Sequence, residues 1–250
     1  MTKALNLVNK HLSFPEVTLI SPSESKFIHI AADVDSGLPF LPNSKVKNQL
    51  ISDVKSACDK FLEMQGVVGA HVFSAILIPP GRGNFIKQRE DKVHIANFDL
   101  VVLIECESEL VEETLRSSSE FMKMISNIDT RSKYTHEVSA SNARRIGPVD
   151  HSKQGVFLFN YFFADDVEQN LGVWNYTAGW FEAETQLDNS TLLLPREKSE
   201  SKYTVINHCR WDSLREILPS LIFKSTFRKY VLDNFEANNV AAMPILYKLA

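Results

Sequence analysis

Phe98–Cys106 reads FDLVVLIEC and Gly155–Phe163 reads GVFLFNYFF. Both are strands by composition, rich in β-branched and aromatic residues. An antiparallel strand with one wet face alternates apolar and polar residues. These two carry large apolar side chains on both parities, so both faces of their sheets have to be covered. Helices can cover one face. The other face is covered most economically by a second sheet, with two separate sandwiches as the alternative.

Outward from FDLVVLIEC, the first half resolves into alternating elements. Phe27–Val34 (FIHIAADV) is a strand. Pro39 and Pro42 break the chain, and Asn43 or Ser44 offers a helix cap. Val46, Leu50, Val54, Ala57, Phe61 and Met64 then recur at steps of three and four, one stripe of a helix that Gly66 ends. Val67–Ile78 is a long strand closed by Pro79-Pro80-Gly81. After FDLVVLIEC, Ser108 caps a helix with Glu109, Glu112 and Glu113 in its first turn, where the helix dipole favours acids. Its stripe is Val111, Leu115, Met122 and Ile125, and a more polar strand follows at Tyr134–Ala140. The order is β-α-β-β-α-β.

Around GVFLFNYFF the same order returns. Asp165 with Glu168 makes a capping-box-like start for a helix whose stripe is Val167, Leu171, Trp174, Ala178 and Phe181. Ser190–Pro195 and Tyr203–Trp211 are strands around a charged turn, Arg196–Lys202. Asp212 caps a helical region reaching about Asn238, kinked at Pro219, and Ala242–Leu249 is the last strand. The fold class is therefore α+β, with two tandem ferredoxin-like βαββαβ units. Residues 1–147, including an N-terminal extension, form one unit and 148–250 the other, joined at Ile146-Gly147-Pro148-Val149-Asp150. Two sheets facing each other would close a barrel with helices outside and cover both apolar faces at once.

Three stretches resemble the dimeric α+β barrel superfamily. They are Gly66–Phe73 (GVVGAHVF), the Phe98–Cys106 strand with its Ser-capped acidic helix, and Trp174-x-Tyr176-Thr177-Ala178-Gly179-Trp180 followed by Glu184. The last is similar to the monooxygenase-like branch. The resemblance runs from Phe27 to Leu249 and implies the barrel. Its members include cofactor-free monooxygenases, stress-responsive barrel proteins, isomerases, lyases and haem enzymes, so the fold does not carry a reaction with it.

Composition narrows the function classes. The chain has 250 residues, 44% hydrophobic and 23% charged, with a net charge of −4. That is a globular balance without the basic surplus of a nucleic-acid or anionic-membrane binder. The start, MTKALNLVNKHLSFPEV, lacks the apolar core of a signal peptide, and no run approaches the roughly 20 apolar residues of a membrane span. Cys58, Cys106 and Cys209 show no ligand spacing and read as reduced thiols, which places the chain in the cytoplasm. A homodimer is compatible with the superfamily.

Chemistry-bearing motifs are sparse. Gly81-Arg82-Gly83 is too short for a phosphate loop and reads as a turn; HExxH and GxSxG are absent. Histidines at 11, 29, 71, 94, 136, 151 and 208 have no ligand spacing, so neither a metal nor another cofactor is expected. A haem would need an axial histidine, for which His71 and His208 are best placed; a hydrogen-bonded interior histidine is the plainer reading.

Polar residues inside apolar strands say more. Asn160 interrupts GVFLFNYFF, and Asn207-His208-Cys209-Arg210 interrupts YTVINHCRW. Burying such a group without a partner costs about 1–3 kcal/mol. Strand alternation puts His208 and Arg210 on one face, and Asn207 and Trp211 on the other. Asn160, His208 and Arg210 are expected to converge on a cavity as the catalytic set, with His208 as general base. Tyr176, Trp180, His71, Asn207 and Trp211 are the candidates for binding a small-molecule substrate. Trp174 belongs to the core. A hydrogen-bonded bridge between the units is the competing reading for the polar patch. Arg144 and Arg145 suit either an anionic ligand or an ion pair. The expected function is a small-molecule-binding barrel, in the manner of a cofactor-independent monooxygenase acting on an aromatic or polyketide-like substrate. A haem-dependent enzyme and a non-catalytic stress-responsive binder are the alternatives.

Overall fold

The computed structural model describes residues 4–35, 42–79, 84–89, 92–196 and 201–250. The Gly81-Arg82-Gly83 turn and most of the charged turn after Arg196 lie outside the described residues. In the first half, β1 (Lys26–Asp33), α1 (Lys45–Leu62) and β2 (Val67–Leu77) precede a short α2 (Asn84–Lys87). Then come β3 (Leu100–Cys106), α3 (Glu109–Arg116), α4 (Ser119–Asp129) and β4 (Tyr134–Arg145). The second half runs β5 (Val156–Ala164), α5 (Val167–Thr185), β6 (Thr191–Pro195), β7 (Val205–Trp211) and α6 (Leu214–Phe223). A π-helical turn (Phe227–Leu232), α7 (Asp233–Ala237) and β8 (Val240–Leu249) complete it.

All eight strands close into one antiparallel barrel in the order β1-β3-β2-β8-β5-β7-β6-β4. Within it, each half keeps the strand order 4-1-3-2 of a ferredoxin-like unit. The second strand of each half pairs with the fourth strand of the other. Phe73 of β2 sits opposite Leu249 of β8, and Ala140 of β4 opposite Pro195 of β6. Closure leaves no sheet edge unpaired, which removes the exposed edges that invite further strand pairing.

Three cores follow from the strand parities. One lies inside the barrel and gathers Phe27, Phe73, Leu103, Phe157, Phe159, Tyr161, Ile206, Ile245 and Tyr247. A second lies between the first half's sheet and its helices, around Ile28, Leu50, Val54, Phe61, Val102, Phe121 and Ile128. The third is its counterpart in the second half, around Leu158, Phe162, Trp174, Trp180, Cys209 and Trp211. This is why FDLVVLIEC and GVFLFNYFF are apolar on both parities: one set of side chains fills the barrel and the other meets the helices.

Several local expectations shift. Val46 is 53% exposed, and the buried face of α1 is instead Lys47, Leu50, Val54, Cys58 and Phe61. Lys47 is tolerated there because its ammonium meets Asp99 at 3.0 Å. The helix after β3 is two helices: Ser118 caps α4 by accepting from the Phe121 amide, which turns Met122 outward and buries Phe121, Met124 and Ile128. The cap of α5 is Asp166, which accepts from the Glu168 and Gln169 amides, while Asp165 pairs with Arg89 at 2.9 Å. Ser213, not Asp212, stands at the start of α6; Asp212 pairs with Arg210 at 2.8 Å. Pro219 lies inside α6, and the helical region then breaks at Lys224.

The N-terminal extension explains why α5 is buried almost all round. Residues 4–20 run across the second half's helices. Asn238 Oδ1 accepts from the Asn6 amide at 2.8 Å and Asn234 Oδ1 from the Val8 amide at 3.0 Å. Phe14 packs on Tyr230 at 4.7 Å between ring centroids. Gly179 makes the crossing possible, since a Cβ there would stand 1.8 Å from the Pro15 carbonyl oxygen.

Candidate functional site at one end of the barrel

The barrel end where β1 starts and β3 finishes, with Lys26 opposite Cys106, is roofed by the connection between the halves, residues 146–155. That connection is short and internally braced: Asp150 Oδ1 accepts from the Ser152 amide at 2.9 Å and from its hydroxyl at 2.6 Å. Gly155 lets it dock, because a Cβ there would lie 2.5 Å from the Trp211 carbonyl oxygen. Beneath it lies a cavity of about 150 Å³, lined by Ser23, Phe27, Leu103, Glu105, Arg145, Pro148, Val149, His151, Thr191, Leu193 and His208. Both halves and the connection contribute. A cavity of that order has room for one aromatic ring.

The polar groups converge from four elements. Arg145 ends β4, and among the described residues its side chain has no ion-pair partner; its Nε is buried without a hydrogen bond. Glu105 of β3 also lines the cavity, and among the described residues it makes no ion pair. His208 of β7 is 1% exposed; its Nδ1 lies 3.1 Å from the Leu158 carbonyl oxygen and its Nε2 2.8 Å from Nε2 of His151. His151 stacks on His71 at 4.3 Å between centroids, and lies parallel to His208 at 5.1 Å. Burial lowers all three imidazoles: His208 to about 3, and His151 to about 2 with His208 and His71 adding to the effect. At neutral pH these rings are uncharged, so Arg145 is the fixed positive charge on the cavity wall and the neutral rings are donors and acceptors.

The residues singled out in the sequence fall into three places. His208 and His71 belong to this barrel end. Arg210 shares the inward parity of His208, but its guanidinium is spent on Asp212 at 2.8 Å and on the Gln154 carbonyl, and it does not line the cavity. Asn160 faces the opposite side of the sheet, where it sits opposite Asn207 in register. Together with Trp211 these two line a cavity of about 30 Å³ under α5. Asn160, His208 and Arg210 therefore do not converge, because β5 and β7 present position 160 outward and positions 208 and 210 inward. Trp180 is fully buried in the outer core and donates to Thr226 Oγ1 at 3.1 Å. Trp211 donates to Thr185 Oγ1 at 3.1 Å, and Tyr176 stacks on Tyr230 at 4.8 Å beneath the N-terminal extension. None of these three aromatics reaches the barrel-end cavity.

His208 as a general base that touches substrate also meets an obstacle, since both its nitrogens are engaged within the protein. The same engagement leaves no open position for His208 to ligate a haem iron, and the interior beyond it is filled by Phe73, Phe157 and Phe159. A haem held by His208 does not fit these residues. Among the described residues no three His, Cys, Asp or Glu side chains are grouped to hold a metal ion. His151 and Glu105 were not singled out. His151 lies on a connecting segment, where no strand or helix period marks it, and Glu105 is one acid at the end of an apolar strand.

No protein-family model and no curated protein matches the sequence. Solved structures do match the fold. An anthrone oxidase-like protein superimposes with a TM-score of 0.61 at 9% identity, over 93% of this chain and 94% of its own. A candidate monooxygenase of Fusobacterium nucleatum superimposes with a TM-score of 0.56 at 8% identity, over 91% of this chain and 92% of its own. At such identities the likeness is one of fold. The chain shares the fold of these structures, an eight-stranded α+β barrel, with both ferredoxin-like halves carried on one polypeptide.

Proposed function

We propose that the protein binds a small acidic molecule with a single aromatic ring in the barrel-end cavity, and acts on its anion in the manner of a cofactor-independent oxygenase. The observation that carries this reading is the Arg145 guanidinium, without an ion-pair partner among the described residues, on the wall of a roofed cavity of mixed polar and apolar lining that also holds the Glu105 carboxylate. A cation without a carboxylate partner in such surroundings favours an anionic ligand and lowers the ligand's own pKa. An ionised phenol or carbon acid is the electron-rich form that reacts with dioxygen. The names of the two structural neighbours, a monooxygenase and an anthrone oxidase-like protein, agree with this class of chemistry. The cavity volume favours one ring over a fused polyketide.

Other features suit a barrel working alone in a reducing compartment such as the cytoplasm. All three cysteines are free and buried, and no helix of the described residues is long and apolar enough to cross a membrane. The strand pairings that a dimeric barrel makes between subunits are here made within the chain, so any homodimer forms through the helical faces.

The test is binding of benzoate and of monocyclic phenols by calorimetry, paired with oxygen uptake. Arg145→Gln is expected to weaken benzoate about 10- to 100-fold, the worth of one charge-assisted hydrogen bond. Binding without oxygen uptake for every phenol tried would leave the protein a binder and remove the oxygenase reading. Benzoate affinity unchanged in Arg145→Gln would remove the anion site.

A further inference from the structure

One carbonyl group dictates where the protons sit in the His71–His151–His208 stack. His208 Nδ1 lies 3.1 Å from the Leu158 oxygen. A carbonyl only accepts, so Nδ1 carries a proton. His208 is almost fully buried and no carboxylate acts on it; burial keeps it neutral. A neutral imidazole has one N–H, so its Nε2 presents a lone pair. His151 Nε2, 2.8 Å away, must then be the donor. His151 is held neutral as well, with the charges of Asp150 and Arg210 acting on it in opposite directions. Its one proton is therefore on Nε2, and Nδ1 is an acceptor on a side chain that lines the cavity. Among the described residues nothing hydrogen-bonds to that nitrogen. The stack against His71 at 4.3 Å and the parallel Phe157 ring at 5.8 Å hold the plane of the His151 ring.

Beside the Glu105 carboxylate and the Ser23 and Thr191 hydroxyls, the cavity therefore offers two complementary polar groups. Arg145 has only donors, and His151 Nδ1 only accepts. We propose that His208, by holding His151 in its Nε2–H form, makes the cavity select a ligand that carries a hydroxyl group in addition to its anionic oxygen. The ligand class is a monocyclic hydroxylated aromatic acid. This rests on the anion-site reading above and adds a requirement for a proton donor. His208 is a positioning residue, since it spends both nitrogens inside the protein. An acceptor on the cavity wall favours a ligand that can donate to it over one that cannot.

The tautomers are read directly from ring-nitrogen NMR correlations of the ¹⁵N-labelled protein at neutral pH. The expected result is Nδ1–H on His208 and Nε2–H on His151. An Nε2–H form of His208, an Nδ1–H form of His151, or a cationic ring at either position overturns the proposal with no ligand present. Selectivity is read with benzoate, 3-hydroxybenzoate and 4-hydroxybenzoate. At least one hydroxybenzoate is expected to bind about tenfold or more tightly than benzoate. In His208→Phe, which keeps a ring and removes the acceptor, that ratio is expected to approach one. Equal affinity of the three acids for the unaltered protein overturns the selectivity and leaves the anion site standing. Failure of all three to bind overturns the anion site itself and the selectivity built on it. The measurements on the unaltered protein decide the matter even if His208→Phe does not fold.

Discussion

Acid should unfold this protein in a window set by its interior histidines. His29 and His208 are held by burial at about 3 and His136 at about 4, against an ordinary value of 6.5. The groups around them offer an imidazolium no anionic partner. His29 faces His136, Phe159 and the Tyr161 hydroxyl; His136 faces His94, Tyr203, Ser201 and the Lys202 charge; His208 faces His151, Phe73 and the Leu158 carbonyl. Because the folded values lie below the unfolded one, the unfolded chain takes up protons first. Stability is complete above about pH 7 and falls as pH drops below 6.5 towards the folded values. At pH 5 each of the three has lost about 2 kcal/mol, about 6 kcal/mol together, which is comparable to the whole stability of an ordinary domain. Carboxylates such as Asp150, held low at about 2 by the Ser152 hydroxyl and amide and by Lys153, lose their contribution only at lower pH and do not contribute to this window. The assay is urea denaturation followed by the fluorescence of Trp174, Trp180 and Trp211 at pH 7.5, 6 and 5. The midpoint should fall steeply across that range. A midpoint unchanged between pH 7.5 and 5, or folded-state imidazoles that titrate near 6.5 by NMR, would refute the reasoning.

Three further outcomes follow from contacts elsewhere. Glu112 is fully buried and receives Arg116, Arg196 and Ser139, tying α3 of the first half to the strand end at Pro195 in the second. Glu112→Ala leaves Arg116 with Glu137 and Arg196 with Glu109, so it should cost about 1–3 kcal/mol in chemical denaturation, whereas no measurable loss would show the network to be ornamental. Gly179→Ala places a methyl against Pro15 and should lift residues 4–20 off α5, so limited proteolysis ahead of β1 should accelerate while the barrel persists; an unchanged digestion pattern would contradict this. Asn160 Oδ1 is buried without a protein partner beside the 30 Å³ cavity, a space sized for one water. Asn160→Leu should be neutral to stabilising, within about 1 kcal/mol, and without effect on benzoate binding; a selective loss of binding would return Asn160 to the site.

What was legible in the chain and what was not have a common physical origin. The barrel was legible because burial on two faces leaves a mark at every position of a strand, as in FDLVVLIEC and GVFLFNYFF. The parity within β7 was legible too, since alternation alone separates His208 and Arg210 from Asn207 and Trp211. Relative phase between strands leaves no such mark. Whether Asn160 shares a face with His208 depends on register, and β5 pairs Asn160 with Asn207 and Phe159 with His208. A shift of one residue would have reversed the assignment. The site residues contributed by the connection were harder still. His151 acquires its role only when the chain folds back over the barrel end, and Arg145 is distinguished from Arg144 by pointing into the barrel-end cavity rather than to α5. Arg144 donates to the Leu171 carbonyl at 2.8 Å, while among the described residues the neighbouring guanidinium forms no ion pair and its Nε no hydrogen bond. An unsatisfied cation is a property of three-dimensional surroundings, and two adjacent arginines at the end of one strand are alike until those surroundings exist. That difference also orders the experiments. Arg144 is already committed to the protein, so the anion reading stands or falls on Arg145 alone, and Arg144→Gln serves as the control that should leave benzoate affinity unchanged.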